Sequence, residues 1–416
     1  MSGRIQAPRG TYDVLPDAAD ARTALEATAR RVLEGAGYRR IETPAFEYTE
    51  LFSRGVGAST DIVQKEMFDF EDTKGSSFAL RPEGTAPICR AYSEHGMHKL
   101  PQPVKLWYLS SFFRKERPQA GRYRQFWQIG AEALGSDDPA VDAETILLLS
   151  ALLAELEVGG LRLRLGSLGT LEARTAYREE LQAHLRANAD HLSDEVRARI
   201  DLNPLRAFDS DHAATRAVMA DAPLLLHRLD PADAEHFATV RELLDRANVD
   251  YEVDPTLVRG MDYYTRTVFE FASDKLGAQS GVAGGGRYDG LVEQLGGPPT
   301  PGCGWAAGIE RIRLAGPDLP VAPAPVDLYV AFEAGPQRVA AFAVAAEARD
   351  ARLNAQLELA GRSRKGQLKQ ADRLGARYVA IVNETGTVLK DMQSGEQKDV
   401  GADEVVTRIL RERGMR

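Results

Sequence analysis

The first apolar pattern along the chain has the period of a helix. Its apolar positions are offset by 0, 4, 7, 8 and 11 residues, at Leu25, Ala29, Val32, Leu33 and Ala36. This spacing predicts a helix over residues 21–36 with one apolar face. A predicted strand over residues 38–43 follows and meets Pro44. Because proline cannot donate the hydrogen bond that a central strand needs, we expect this strand at a sheet edge, where it is a candidate interface.

A second pattern, with the period of a strand, lies between residues 104 and 135. Two strand-like runs flank a loop with Pro118 and Gly121, which predicts a long hairpin. One face of the second strand is apolar and is expected to pack inward, through Trp127, Ile129, Ala131 and Ala133. The opposite face carries Phe126, Gln128, Gly130 and Glu132. That face is either a ligand floor, with space at the glycine, or the solvated outside of an antiparallel sheet. Arg114, at the end of the partner strand, favours the ligand floor.

Three further segments are candidates for binding, and each has a simpler alternative. Arg259 precedes a predicted strand over 267–271, but a single arginine is more often a surface residue. The glycines of 281–290 allow a backbone to approach a ligand closely, although a plain turn explains them equally well. They match neither a dinucleotide fingerprint nor a phosphate loop. Residues 302–311 run from a glycine-rich strand into a helix that begins near Arg311.

A turn over residues 78–85 places a carboxylate and a hydroxyl together. Glu83 and Thr85 could hold an ammonium group there, whereas a structural turn with a helix cap at Thr85 is an equal alternative. Together with the arginines, these groups describe a site for an amino acid beside a polyanion. The seven histidines show no zinc-ligand spacing and we find no covalent nucleophile. Catalysis by positioning and electrostatics fits this set best.

Composition divides the chain into parts. A length of 416 residues predicts two or three domains. Charged, helix-forming sequence over 168–249 is interpreted as a helical insertion into a catalytic domain of residues 1–320. A proline-rich linker over 317–325 leads to a small α/β domain over 326–416, with strands at 326–332 and 377–382 and helices at 339–351 and 367–374.

Net charge and cysteine usage restrict the class of protein. The whole chain has a net charge of −9. Its last 91 residues carry 15 Lys and Arg against 13 Asp and Glu, whereas the residues before them carry 37 against 48, so the negative charge lies in the first part. A nucleic-acid partner would therefore have to bind at a local basic patch rather than to the surface as a whole. Cys89 and Cys303 are too few for a disulfide framework and are expected to be buried thiols in a reducing compartment. No apolar run reaches 18 residues, so we expect a soluble, cytoplasmic protein without a membrane anchor.

In combination, the segments resemble the class II histidyl-tRNA synthetases over nearly the whole chain. The opening resembles the family's start, and the helix and strand ending at Pro44 resemble the first class II motif. Residues 113–132 and 308–312 resemble the second and third motifs. The most specific matches are to the two histidine signatures, at Arg259–Tyr264 and Ala283–Leu291. The resemblance implies an α+β class II catalytic domain, an antiparallel sheet flanked by helices, with a helical insertion and a C-terminal α/β anticodon-binding domain.

The resemblance also implies roles for twelve residues. The α-amino group of histidine is expected at Glu83, Thr85 and Gln128, and the imidazole at Glu132 and Tyr264, with Tyr263 lining the pocket. Arg114 is expected at the α-phosphate and the bound histidine, and Arg259 is the distinctive catalytic residue of the family. The remaining ATP contacts are expected from Glu116 at the adenine, Phe126 stacking on the base, and Arg122 and Arg311 at the outer phosphates.

By the same resemblance, the reaction joins histidine to tRNA(His) with ATP as substrate. Magnesium should accompany the pyrophosphate, and the chain should form a homodimer. A basic set at Arg362, Arg364, Lys365 and Lys369 could contact RNA phosphates, or be a solvated face. The main rival is a noncatalytic regulatory paralogue that serves a histidine-biosynthetic phosphoribosyltransferase. Such proteins lack the C-terminal domain and have eroded signatures, whereas this chain retains both. A third alternative, a noncatalytic tRNA-binding protein, would leave the arginines without a function.

Overall fold

The computed structural model describes residues 4–277, 280–317, 325–333 and 335–413. The chain divides into two compact units, Met1–Leu319 and Pro320–Arg416. Most of the predicted linker, residues 318–324, lies outside the described residues. Each unit has its own sheets and apolar cores: two sheets and more than one core in the first unit, and one five-stranded sheet in the second.

The first unit alternates helices with short and long strands. Its helices are α1 (Pro16–Gly35), α2 (Thr49–Phe52), α3 (Thr85–Glu94), α4 (Pro139–Glu155), α5 (Leu171–Ala187), α6 (Asp194–Arg199), α7 (Ala213–Ala220), α8 (Pro231–Arg246), α9 (Leu291–Gln294) and α10 (Ile309–Ala315). Its strands are β1 (Arg39–Arg40), β2 (Phe46–Tyr48), β3 (Asp69–Glu71), β4 (Ser77–Leu80), β5 (Val104–Phe113), β6 (Gln125–Leu134), β7 (Leu161–Ser167), β8 (Glu252–Val253), β9 (Thr265–Ser273), β10 (Gly281–Arg287) and β11 (Gly302–Gly308). Helix α1 begins five residues earlier than predicted because Pro16 occupies its first turn, where no amide hydrogen is needed.

Eight of these strands form one large sheet in the order β1-β5-β6-β11-β10-β9-β7-β8. All pairings between β5 and β7 in this order are antiparallel, whereas the edge strand β1 pairs parallel with β5 and the edge strand β8 pairs parallel with β7. The predicted strand before Pro44 is indeed at the edge, although only Arg39 and Arg40 pair. Strands β2, β4 and β3 form a separate three-stranded sheet.

Both faces of the large sheet are covered. One core contains α1, α4 and α8, which pack on the apolar face of β6 through Ile129, Ala131 and Ala133. The second core includes Tyr108 and Phe112 of β5 together with residues of α3 and α5. The face with Glu132 is therefore an interior surface, and its alternative interpretation as a solvated outer face is wrong.

The charged segment over 168–249 folds as four helices, α5 to α8, joined by short 3-10 turns. Its last helix packs on α4 through Phe237, Val240 and Leu244. A buried polar contact joins the same two helices, since His236 Nε2 lies 2.8 Å from Asp142 Oδ2. Helix α8 is therefore part of the core that supports the large sheet.

Among its described residues, the second unit has three α-helices and five strands. They are β12 (Leu328–Phe332), α11 (Gln337–Asp350), β13 (Ala355–Leu357), α12 (Arg364–Arg373), β14 (Tyr378–Asn383), β15 (Gly386–Asp391), β16 (Gln397–Val400) and α13 (Val405–Glu412). The sheet order is β13-β12-β14-β15-β16, with β12 parallel to both neighbours and an antiparallel hairpin at the end. The four predicted elements correspond to β12, α11, α12 and β14.

Two expectations from composition concern the cysteines and the membrane. Cys89 and Cys303 are free and buried, as predicted. Within the described ranges, every helix is too short or too polar to span a lipid bilayer. Burial raises the pKa of both thiols well above the ordinary value, so neither is a ready nucleophile.

Candidate active site

A patch of small residues on the large sheet makes room for the polar side chains. Directly opposed residues in a sheet face the same side, and the registers align Gly284 with Ala306 and Gly130, and Gly286 with Gly304 and Glu132. We call Gly130, Gly284, Gly286, Gly304 and Ala306 the small-residue floor. A Cβ on Gly304 would overlap the Glu132 carboxylate, and one on Gly286 would lie 3.0 Å from the Tyr264 ring. The glycines of 281–287 thus belong to strand β10, and the turn interpretation of this part is wrong.

Glu132 is the most enclosed acid of the site. Its side chain is fully buried, and its two oxygens accept hydrogen bonds from Thr85 Oγ1 at 2.8 Å and Tyr288 Oη at 2.6 Å. Burial raises the pKa of Glu132 to about 8, against the lowering effect of these two donors. Burial thus favours the neutral form of this acid, while the two donors favour its charged form.

Glu83 caps the helix that begins beside it. Its two carboxylate oxygens accept from the backbone amides of Thr85 at 2.7 Å and Ala86 at 3.0 Å, at the start of α3. Burial raises the pKa of Glu83, while the amides and the nearby charge of Arg114 oppose that rise. The turn is structural, but its cap is Glu83 rather than Thr85. Each carboxylate oxygen retains a second lone pair that can accept from a ligand.

The space expected at Gly130 is filled by a tyrosine from the neighbouring strand. Tyr108 lies directly opposite Gly130, and its ring passes between Gly130 and Gly84. A Cβ on Gly84 would lie 2.6 Å from the tyrosine Cζ. Among the described residues the buried hydroxyl of Tyr108 has no hydrogen-bond partner. It is therefore free to bond a ligand.

Two more tyrosines and an amide border this pocket. The rings of Tyr263 and Tyr264 are 4.7 Å apart, and the Tyr263 ring is 5.8 Å from that of Tyr288. Burial raises the pKa of Tyr264 to about 12, partly offset by the charge of Arg259. The buried Oε1 of Gln128 is unbonded within the described ranges. This part of the site thus combines aromatic rings with acceptor and donor groups that a ligand can use.

Four of the predicted phosphate and base contacts form a cluster at the open end of the hairpin. Arg114 Nε donates to the carbonyl of Pro82 at 2.9 Å, and its guanidinium lies 5.3 Å from the centre of the Phe126 ring. Glu116 lies between two arginines, 3.7 Å from Arg114 and 3.1 Å from Arg122. The cluster can therefore offer an aromatic surface, an acceptor and two cations to one ligand.

Arg311 approaches the same loop from α10. Its Nε donates to the carbonyl of Gly281 in β10, and its side chain contacts the position of Gly121 in the hairpin loop. Burial lowers the pKa of Arg311, as does the charge of Arg122. The N-terminal segment braces this region, because Tyr12 Oη donates to Glu310 at 2.6 Å and Gly10 accepts from the amide of Arg124 at 2.7 Å.

Arg259 lies over the small-residue floor. A Cβ on Gly284 would lie 2.7 Å from its Cζ, so only glycine leaves room for the guanidinium there. Its NH1 forms an ion pair with Glu270 of β9. In the described part of the chain its buried Nε has no partner. One side of the guanidinium is therefore paired with Glu270, and the side with Nε has no hydrogen-bond partner among the described residues.

The structure brings the predicted residues into one continuous site. Hydrogen bonds or nearby charges link Glu132 to Thr85 and Glu83, Glu83 to Arg114, and Tyr264 to Arg259. Sequence reasoning missed Tyr288, Tyr108 and Glu270. Tyr288 lies within the second histidine signature, Ala283–Leu291. Its phenol, rather than that of Tyr264, donates to Glu132. The positions of Tyr108 and Glu270 in the site depend on strand register, which no local sequence pattern predicts.

Comparison with known proteins identifies what the chain resembles. Residues 10–312 match the family model described as Histidyl-tRNA synthetase. The chain is 48% identical to the histidine–tRNA ligase of Halorhodospira halophila, with 97% of each chain covered, and 45% identical to that of Streptomyces avermitilis, with 97% and 98% covered. The solved apo histidyl-tRNA synthetase of S. aureus matches with a TM-score of 0.79 at 32% identity, over 98% of this chain and 100% of that one. The likeness extends over both units.

Proposed function

The chain belongs to the histidyl-tRNA synthetase family, and on that premise we propose that the small-residue floor and its polar rim hold histidine beside ATP. The chain activates L-histidine with ATP to histidyl-adenylate. It then transfers the histidyl group to the 3′ end of tRNA(His), giving histidyl-tRNA, AMP and diphosphate. Relatives named histidine–tRNA ligase at this identity favour the ligase over the regulatory paralogue.

The buried Glu132 carries the assignment of the histidine pocket. A neutral imidazole has one donor nitrogen and one acceptor nitrogen. Glu132 can accept from the donor, while the phenol of Tyr264 or of the unpartnered Tyr108 can donate to the acceptor, since the proton of Tyr288 is already given to Glu132. An analogue without these nitrogens would leave buried polar groups unpaired, which is a strong basis for rejecting it.

The α-amino group belongs at the other end of the pocket. Glu83 and the unbonded Oε1 of Gln128 supply acceptors for an ammonium group, and Thr85 lies between Glu83 and Glu132. The negative charge of Glu83 also balances the ammonium charge in a buried place. This arrangement directs the carboxylate of histidine toward the arginines.

ATP is assigned to the open end of the hairpin. The adenine stacks on Phe126 with its edge at Glu116, while Arg122 and Arg311 hold the outer phosphates. Arg114 and Arg259 then face the α-phosphate between the two substrates. When the histidine carboxylate attacks the α-phosphorus and pyrophosphate leaves, charge grows on the nonbridging oxygens, and the two guanidinium groups stabilise it. In the second step the terminal ribose hydroxyl attacks the histidyl carbonyl and AMP leaves.

Magnesium is assigned to the nucleotide rather than to a resident site. Among the described residues there is no group of three or more His, Cys, Asp or Glu that could hold a metal. Mg²⁺ commonly uses substrate phosphates and water with one or two carboxylates, and Glu116 lies beside the phosphate-binding arginines. When bound, the ion would screen the charge of the departing pyrophosphate.

A homodimer is supported by an exposed aromatic cluster on the three-stranded sheet. Phe46, Tyr48 and Phe70 are 51%, 63% and 46% exposed, and all three pack around Phe78 at ring distances of 5.0 to 5.8 Å. A contiguous apolar patch of this kind marks an interface. Light scattering should give the mass of two chains, and Phe46→Asp with Phe70→Asp should give monomers. A wild-type monomer would contradict the assignment.

The second unit is assigned to the tRNA anticodon. Lys365 and Lys369 are exposed at and after the start of α12, whereas Arg362 and Arg364 are partly engaged with Glu358 and Glu333. Because tRNA is a polyanion, we expect binding to weaken steeply with salt, and Lys365→Gln with Lys369→Gln to reduce that salt dependence. An unchanged salt dependence would remove these lysines from the RNA contact. Because the reaction uses tRNA, we propose a cytoplasmic location.

Pyrophosphate exchange into ATP tests the function with each of the twenty amino acids, with and without magnesium. Exchange with histidine alone, dependent on magnesium, is the expected result. Exchange with another amino acid would overturn the pocket assignment. No exchange from folded protein would overturn the activation step and revive the regulatory paralogue.

A further inference from the structure

Glu270, a residue outside the assigned substrate contacts, determines which side of the Arg259 guanidinium is left unpaired. A guanidinium group has two edges that can each bind two oxygens, one from NH1 with NH2 and the other from NH2 with Nε. Glu270 holds NH1, and Nε is buried without a partner in the described residues. The edge formed by NH2 and Nε is the one left for two oxygens of a phosphate.

Glu270 is itself held from the opposite side. The register places Arg164 of β7 and Gly284 of β10 on either side of Glu270, so all three share the face of the floor. Arg164 NH1 lies 3.6 Å from the second carboxylate oxygen of Glu270. Arg164 Nε donates in turn to Asp254 at 2.6 Å. Four alternating charges thus run from Asp254, just after β8, across the sheet to Arg259.

We propose that Glu270 is a positioning residue for Arg259, holding NH1 so that the NH2 and Nε edge faces the α-phosphate. This inference rests on the proposed function, because it assigns Glu270 to the step in which Arg259 acts. Glu270 touches neither histidine nor ATP in this arrangement. Its effect reaches the reaction only through the guanidinium.

The physical need for such a residue follows from the arginine side chain. Arginine has many rotamers, and fixing them costs about 2 kcal/mol of conformational entropy. A guanidinium that is already oriented before the substrates bind need not be ordered in the transition state. The glycine at 284 supplies the flat surface below the group, and Glu270 supplies the lateral anchor.

A purely structural ion pair is a poorer explanation. The side chains of Arg259 and Glu270 are only 19% and 22% exposed, and a largely buried ion pair is weak evidence for stability because the cost of desolvation offsets the Coulomb attraction. The pair also sits where a side chain on Gly284 would displace it, so the sheet is built to admit it. Stability alone does not require a glycine and a second arginine at this place.

The test compares Glu270→Gln with a matched control, Glu252→Gln. Glu252 is the next residue in the same cross-strand row, opposite Arg164 on its other side, and it is exposed. In pyrophosphate exchange with histidine and magnesium, Glu270→Gln should lower kcat about 10- to 100-fold, with the KM for ATP and for histidine within about threefold of wild type. Glu252→Gln should match wild type.

A double-mutant cycle with Arg259→Ala makes the test decisive. If Glu270 acts through Arg259, Glu270→Gln should have no further effect on kcat once Arg259 is alanine. Multiplying losses would overturn the proposal by giving Glu270 an independent role, and so would an unchanged or raised kcat in the single variant. Failure of the proposed function is distinguishable, because wild type would then show no histidine-dependent exchange.

Discussion

Two arginines near strand β10 have opposite environments. Arg287 is fully buried, and all three of its guanidinium nitrogens are bonded, to the carboxylates of Asp142 and Asp289 and to backbone carbonyls at Ser136 and Asp138. Arg259 is paired on one side only, and its Nε is without a partner in the described part of the chain. Both lie in the histidine signatures.

The difference separates a residue that holds the fold from one that is available for chemistry. Every donor of Arg287 is satisfied, and Asp142 also contacts His236, so this arginine ties β10 to α4 and α8. Arg259, in contrast, has an Nε donor beside the small-residue floor that no described residue satisfies, and a bound ligand can satisfy it. Counting unsatisfied donors thus distinguishes the two arginines from the structure alone, independently of the family resemblance.

The largest effect is expected from Arg287→Met. Removing one partner of a buried ion pair leaves the other charge uncompensated, which costs about 3–5 kcal/mol of unfolding free energy. Urea denaturation should show that loss. Joint replacement by Arg287→Met and Asp142→Leu should recover part of it, and a single variant as stable as wild type would contradict the fold-holding role.

Arg259→Ala should have the next largest effect, and on rate rather than stability. Loss of a donor to the transition state lowers rates about 10²- to 10³-fold. Single-turnover adenylate formation should fall by that factor, with ATP affinity and the unfolding midpoint close to wild type. Arg259→Lys keeps the charge but loses the fork, and its rate should lie nearer to that of alanine than to wild type.

Glu132→Ala should raise the KM for histidine about 10- to 100-fold. The variant loses the acceptor for the imidazole and leaves the hydroxyls of Thr85 and Tyr288 without their partner. Pyrophosphate exchange at varied histidine concentration measures it, with the KM for ATP as the internal control. If only tRNA affinity changed, Glu132 would not be in the amino-acid pocket.

The last prediction concerns pH and uses Glu132→Gln, which keeps the shape but cannot titrate. The folded pKa of about 8 lies above the ordinary 4.5, so the folded state retains a proton that the unfolded state has released. Stability from this group is complete below about pH 4.5 and is lost as the pH rises through 8. Wild type should lose unfolding free energy relative to the variant between pH 6 and 8 and not above 9. Parallel pH profiles would place the pKa elsewhere.

Local patterns were enough to predict the hairpin, the edge position of β1, the helix α1 and most of the polar site. Alternation along β6 placed Gln128 and Glu132 on one face, because side-chain direction in a strand depends only on parity. The roles of the twelve site residues came from the resemblance, and they remain assignments to be tested by substitution.

The rest depended on register and on distant packing. That Tyr108 occupies the gap at Gly130 follows from the pairing of β5 with β6, and that Glu270 reaches Arg259 follows from β9 lying beside β10. The glycines of β10 were ambiguous because the same residues favour turns and close strand contacts. The antiparallel hairpin of β15 and β16 was missed because its short, polar strands carry a weak apolar pattern.

A crystal structure with a sulfamoyl analogue of histidyl-adenylate would test the central claim most directly, since its sulfamoyl group stands in for the α-phosphate. We predict that Nε and NH2 of Arg259 lie about 3 Å from the sulfamoyl oxygens while NH1 stays on Glu270. The bonds of Arg287 should be unchanged. An analogue bound elsewhere, or an Arg259 without contact to the sulfamoyl group, would contradict the account.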